Sequence, residues 1–262
     1  YIYSYVRLGK ALSQEPVLQR LAIADFLCND TESLMVETYL PQLQGQANLP
    51  VQAKLTLIKD LYPGFDLQQV FPFPATLLSE EIDADEFYLS FFTQPDLFIR
   101  LQKAHAPKVL AILKENAVKV HESTEFTLAL PNGTKLENIF PEQKHYQVQD
   151  LSSQKTGELF QPQKYDYWWD CCAASGGKSL LLHELEPKLD LLVSDVRENS
   201  LRNLDERFQA AGLKKYQKKV LDLLLNNEVE LHHYAFDGII LDAPCSGSGT
   251  WGRTPEMLSY TD

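Results

Sequence analysis

The sequence predicts an α/β protein. A parallel, doubly wound sheet occupies the C-terminal part of the chain, preceded by a small α+β unit and an α-helical leading domain. Three observations carry this. Between Tyr165 and Leu241, short apolar runs alternate with longer, mostly helical stretches, the pattern of parallel strands joined by crossovers. The first run ends in a turn of small residues, Asp170-Cys171-Cys172-Ala173-Ala174-Ser175-Gly176-Gly177-Lys178-Ser179, that leads straight into a helical stretch. An acid closes or follows each of four runs, namely Asp170, Asp195, Asp222 and Asp242, where open α/β sheets bind their ligands.

Length and composition set the bounds. With 262 residues, 44% of them hydrophobic, the chain can bury a sizeable core and exceeds one small domain. The apolar runs are all too short for a membrane span, and no charged-then-apolar leader opens the sequence. The opening Tyr1-Ile2-Tyr3-Ser4-Tyr5 lacks an initiator methionine and reads as a chain cut at its start. Four cysteines occur without C-x-x-C spacing, so no metal site is expected and a reducing cytoplasm fits. The net charge of −12 argues against bulk attraction to nucleic acid. The acid excess is concentrated in residues 1–90, with 5 Lys/Arg against 12 Asp/Glu. Arg100, Lys103, Lys108, Lys114 and Lys119, and again Lys214, Lys215, Lys218 and Lys219, form basic clusters that could touch phosphates or simply face solvent.

Residues 1–90 read as a helical domain and linker. Leu18, Leu21, Ala22 and Asp25 to Leu27 give a helical stripe, with Pro16 suited to its first turn, and Val51 to Tyr62 forms another amphipathic segment before Pro63-Gly64. The linker from Phe71-Pro72-Phe73-Pro74 contains a short helix around Glu86 to Phe92. Residues 91–145 read as strand (Leu97–Leu101), helix (Pro107–Asn116), strand (Ala117–Val120) and strand (Phe126–Leu130), the last entering the turn Pro131-Asn132-Gly133-Thr134. This βαββ order resembles a split sheet of the RNA-recognition type without its aromatic stacking signature. Residues 146–262 hold the alternating part: strand Tyr165–Trp169, helix Gly177–Glu186, strand Leu189–Ser194, helix Glu198–Ala211 closed by Gly212, then strands Tyr216–Val220 and Phe236–Leu241.

The Gly-Lys-Ser ending of the first turn imitates a phosphate-binding P-loop but fails its spacing, because Cys172 stands where that loop needs glycine. Small residues there let backbone N–H groups approach a ligand at a helix N-terminus. Asp195, 25 residues after Asp170, is placed to take ribose hydroxyls, and Asp222 could accept from an adenine amino group. Each acid alone would serve as a cap or a loop residue. Together they describe a pocket for an adenosine with a cationic end, S-adenosylmethionine, and would repel a nucleoside triphosphate. The stretch Leu241 to Glu256 adds a proline and a thiol, Pro244 and Cys245, at the exit of the fourth run.

These residues carry a family resemblance. Asp170 to Ser179 resembles the D-x-C-A-A-P-G-G-K-T/S cofactor loop of the bacterial RsmB and eukaryotic Nop2/Sun family of RNA 5-methylcytosine methyltransferases, with Ser175 in place of the usual proline. Asp242-Ala243-Pro244-Cys245-Ser246-Gly247-Ser248-Gly249 matches the family's D-A-P-C-S-G-x-G. Val148-Gln149-Asp150 resembles the segment before the family's catalytic core, and the leading helices are similar to a NusB-like extension. The resemblance implies S-adenosylmethionine bound by Cys172, Ala173, Ala174, Ser175, Gly176, Gly177, Lys178, Asp195, Asp222 and Asp242. It implies a Rossmann-like sheet ordered 3-2-1-4-5-7-6, here stopping after strand four. It also implies RNA as the partner, ribosomal ahead of transfer RNA; separately, the short apolar runs predict a soluble protein, and a cytoplasmic monomer is expected.

Cytosine C5 is a poor nucleophile, so a thiolate must add to C6 before a methyl group can be accepted, and a base must then remove the C5 proton. The resemblance implies that a cysteine in a later T-C motif attacks, with Asp242 at the catalytic centre and Cys245 assisting release. No such motif occurs up to Asp262, so the chain is expected to be incomplete at its C-terminus and inactive alone. Cys245 acting as the nucleophile, as in DNA cytosine methyltransferases, remains open. So does a non-catalytic RNA-binding or assembly protein that keeps the fold, whereas the acid-lined pocket argues against an ATP-using enzyme.

Overall fold

A computed structural model describes residues 8, 11–71, 73–141, 145–252, 254 and 257, with 122 and 123 described by backbone alone. Tyr1 to Tyr5, Pro72, Arg253, Pro255 and Glu256 lie outside the described residues. The chain divides into two compact units, Tyr1–Pro95 with Cys245–Asp262, and Asp96–Pro244. Among the described residues no helix is long and apolar enough to cross a membrane.

The first unit contains helices α1 (Val17–Cys28), α2 (Leu34–Tyr39), α3 (Val51–Leu61) and α4 (Ala84–Ser90). Pro16 precedes α1 in an extended conformation rather than joining its first turn. Burial runs continuously from Ala22 to Leu27 while Leu18 is exposed, so the expected stripe fails at its first member. Buried Asp25 accepts from Asn29 Nδ2 and from Ser33 Oγ. Ser33 Oγ also accepts from Val36 N (3.1 Å), capping α2. Buried Lys54 donates to Asn29 O (2.5 Å) beside the Phe26 ring. Trp251, just beyond the glycine-rich stretch, joins this unit's core and stacks on Phe73 with ring centroids 5.7 Å apart.

The second unit opens with β1 (Leu97–Leu101), α5 (Ala106–Glu115), β2 (Glu122–Ser123), β3 (Thr127–Leu130), α6 (Leu136–Ile139) and β4 (Tyr146–Val148). Its antiparallel sheet is ordered β2-β3-β1-β4, the split βαβ of ferredoxin-like folds. The strand expected at Ala117–Val120 is absent. Ala117 adopts φ 53° and donates to Lys114 O (3.0 Å), closing α5, so pairing with β3 begins later, at Glu122. Thr127, Arg100 and Gln147 are register partners across three strands. Each reaches an element that follows in the chain, namely α7 (Leu151–Lys155), α8 (Gly177–Leu185) and α9 (Glu198–Ala211). Thr127 Oγ1 donates to Gln154 (2.6 Å), Arg100 donates to Glu184, and Gln147 accepts from Arg207 (2.8 Å). That row docks the sheet on the parallel domain, so this face is not free to stack bases as in RNA-recognition motifs. Arg100, 5% exposed, is thereby removed from the basic cluster.

The parallel sheet comprises β5 (Tyr167–Asp170), β6 (Asp190–Asp195), β7 (Gln217–Val220) and β8 (Gly238–Ile240) in the order β7-β6-β5-β8. Counting these strands one to four gives 3-2-1-4, as the resemblance implied. The first run pairs from Tyr167, because Tyr165 is exposed with φ 74°. Trp168, Leu191, Val193 and Ile240 share one core with Leu180 and Leu182 of α8 and with Leu201, Leu204 and Phe208 of α9. A Cβ at Gly238 would lie 2.5 Å from the Trp168 indole, so only glycine lets β8 pass under that ring.

Candidate active site at the strand ends

The turn between β5 and α8 is built by small residues in unusual backbone conformations. Ala174 has φ 47° and Gly176 φ 78°, and Gly176 N donates to Ala173 O (2.7 Å) to close the turn. A Cβ at Gly176 would lie 2.4 Å from Phe208 Cε1, so both the positive φ and the packing against α9 require glycine. Arg207 fills the neighbouring position on α9. Its Nη1 donates to Ser175 O (3.1 Å) and Ser175 Oγ (2.6 Å), and its Nη2 donates to Gln147.

The acids at the strand ends differ in their surroundings. Asp170 is 1% exposed; its Oδ2 accepts from Ser179 Oγ (2.6 Å), while among the described residues Oδ1 has no well-formed hydrogen bond. Burial pushes its carboxyl up to about 6, with Asp242 adding to the shift and Ser179 and Lys178 opposing it. Asp195 Oδ2 accepts from Ala174 N (2.9 Å), and its Oδ1 accepts from Arg197 N (2.8 Å) and Nε (3.2 Å). Burial would raise this carboxyl, but the hydrogen bonds from Arg197 and Ala174 outweigh it and hold it below the usual range. Asp242 Oδ2 accepts from Lys178 Nζ (2.5 Å). Asp222 sits after β7, where its Oδ1 accepts from Leu224 N (3.0 Å).

The sequence motifs at the ends of β5 and β8, 64 positions apart between Lys178 and Asp242, therefore meet in one ion pair. Asp195 joins them through the loop backbone, whereas the Asp222 side chain bonds within its own turn. Cys171 donates its thiol hydrogen to Ile240 O (3.2 Å), and burial pushes it up to about 12. Burial also raises Cys172, with Asp195, Asp170 and Asp242 adding to the effect; both groups are therefore thiols near neutrality. Cys245 is exposed and begins the stretch assigned to the first unit, while Asp242 belongs to the second.

Sequence reasoning missed Arg207, Arg197 and Ser179. Ser179 was visible as the last residue of the cofactor-loop motif, but its bond to Asp170 was not. Arg207 carried one weak signal, its place between Leu204 and Phe208 on the face of α9 that packs inward.

Comparison with known proteins adds the lineage. Residues 158–261 match the family model described as 16S rRNA methyltransferase RsmB/F. A ribosomal RNA small subunit methyltransferase B from Enterobacter sp. (strain 638) is 30% identical over 248 residues, covering 83% of this chain and 53% of the relative. The chain spans about half the length, or less, of the first curated relatives it matches. Among solved structures, PH0851 has a TM-score of 0.62 at 22% identity, covering 100% of this chain and 66% of that one. NSun6 from Pyrococcus horikoshii with SFG has a TM-score of 0.52 at 17% identity, covering 58% and 64%. These two likenesses concern the fold. With the loop, the D-A-P-C stretch and the 3-2-1-4 sheet, the matches establish that the chain belongs to the RsmB/F family of methyltransferases.

Proposed function

We propose that the complete protein transfers a methyl group from S-adenosylmethionine to C5 of a cytosine in RNA, with ribosomal RNA the favoured substrate. The observation that carries this reading is the Lys178–Asp242 pair (2.5 Å), which joins the cofactor-loop motif to the D-A-P-C motif at adjacent strand ends. The residues fit the cofactor. Three carboxylates, Asp170, Asp195 and Asp242, surround the turn with Lys178 and Arg197 as counter-charges, a setting suited to a cationic nucleoside. Cys172 to Lys178 would line it, Asp195 would take the ribose hydroxyls, and Asp222 would accept from the adenine amino group. S-adenosylmethionine supplies the electrophilic methyl group. The family's curated relatives are named for ribosomal RNA, which favours that substrate over transfer RNA.

Within this chain, Asp242 is held by Lys178 beside the reacting base, and Cys245 assists release of the methylated product. The attacking thiol is assigned to a T-C motif of the complete protein. The protein works as a cytoplasmic monomer. The domain division proposed is helical 1–90, α+β 91–145 and methyltransferase 146–262. Incubating the complete protein with labelled S-adenosylmethionine and unmodified ribosomal RNA tests the reaction; 5-methylcytosine is the expected product. Cys245→Ala should accumulate a covalent protein–RNA adduct, whereas loss of the adduct would make Cys245 the nucleophile.

A further inference from the structure

We infer that Arg207 is a positioning residue for the cofactor loop, holding Ser175 by hydrogen bonds where the family's usual proline would restrict the backbone covalently. The inference rests on the cofactor assignment above and goes beyond it, since no motif includes Arg207.

The loop needs an external restraint. Residue 175 lies between Ala174 at φ 47° and Gly176 at φ 78°, two left-handed residues in a segment rich in small side chains. Such backbone has many accessible conformers, and proline would remove some of them by fixing φ. Serine does not. Ser175 instead offers two acceptors, its carbonyl and its hydroxyl, and one guanidinium nitrogen of Arg207 reaches both, at 3.1 Å and 2.6 Å.

The other end of the guanidinium is anchored as well. Nη2 donates to Gln147 Oε1 (2.8 Å), and Gln147 is 9% exposed on β4, in the row that docks the antiparallel sheet. Arg207 therefore bridges two rigid elements, α9 and β4, and presents a fixed fork to the loop between them. Burial lowers the Arg207 pKa, yet guanidinium keeps its charge at any physiological pH. Lysine could not reproduce the bridge, because its ammonium is a point donor on a flexible stem. Leu204 and Phe208, flanking Arg207, close on Gly176. Consecutive loop residues are thus held by one turn of α9, one through polar contacts and one through packing.

The test uses the whole chain, with two independent readouts. Isothermal calorimetry with S-adenosylhomocysteine measures cofactor-site affinity, and amide hydrogen exchange at Ala174 and Gly176 measures loop order without ligand. Arg207→Ala and Ser175→Ala should each weaken binding about tenfold, the worth of one charge-assisted hydrogen bond. The double variant should be no weaker than the worse single one, and Arg207→Lys should recover only part of the loss. Both single variants should speed exchange at the two amides. Additive losses, or unchanged affinity in variants that keep the wild-type melting temperature, would overturn the inference. If the wild-type chain binds no S-adenosylhomocysteine, the cofactor assignment falls. The clamp is then judged by exchange alone, and unchanged exchange in Arg207→Ala refutes it.

Discussion

Replacing Asp170 with asparagine should remove part of the pH dependence of stability. The carboxyl is 1% exposed, and burial outweighs its hydrogen bonds from Ser179 and the Cys172 backbone, so its charged form is poorly solvated and its pKa rises from 3.8 to about 6. A raised carboxyl pKa means that the folded state holds the proton more tightly than the unfolded state. Stability from this group is therefore full below 3.8 and is lost as pH rises towards 6. The shift of about two pH units corresponds to about 3 kcal/mol at most. The asparagine amide does not titrate, so any constant offset it introduces cancels when stabilities at different pH are compared. Urea denaturation followed by tryptophan fluorescence, at intervals from about pH 4 to 7, should show Asp170→Asn gaining about 2–3 kcal/mol on the wild type across that range. A flat difference curve, or one that falls with pH, would refute the account of Asp170 as a buried, incompletely solvated carboxyl.

Other perturbations separate packing from chemistry. Gly176→Ala must place a methyl group at a positive φ, 2.4 Å from the Phe208 ring; chemical denaturation should show a loss of about 3 kcal/mol, and a loss below about 1 kcal/mol would contradict the close contact. Lys178→Ala removes a pair whose Asp242 side chain is 54% exposed, so stability should change by less than about 1 kcal/mol. Its S-adenosylhomocysteine affinity should nevertheless fall about tenfold by calorimetry, and a change in stability alone would make the pair structural. Trp251→Ala removes a ring stacked within the aromatic core of the first unit; the stability of that unit should fall by about 3–5 kcal/mol, read by near-ultraviolet circular dichroism. An unchanged transition would show that the ring is dispensable there.

The parallel sheet was legible because its signals are local. The central strand β6, buried along most of its length, is a short apolar run, a helix against it repeats every three to four residues, and both patterns survive any rearrangement elsewhere. Glu198–Ala211, ended by Gly212 in the left-handed conformation, formed over the expected residues. The same logic failed at Ala117–Val120, where apolar residues of strand type follow a helix that closes through a positive φ. It also missed α6 and β4, because four helical and three extended residues are too few to establish a period.

By itself the sequence determined the element types of the parallel domain's strands and long helices, the small-residue turn after β5 and the acids at the strand ends. Tertiary structure alone decided which of those acids meet. Asp242 reaches Lys178 because β8 pairs beside β5 in parallel register, Trp169 opposite Ile239, and no local pattern encodes that adjacency. It also decided that Arg100, read in sequence as part of a basic cluster, and Arg207, only weakly marked there, turn inward to hold one sheet and one loop. A side chain's period along its own element is a property of a few neighbouring residues. Its partner is set by strand order and by packing across scores of intervening residues, which exist only once the chain has folded.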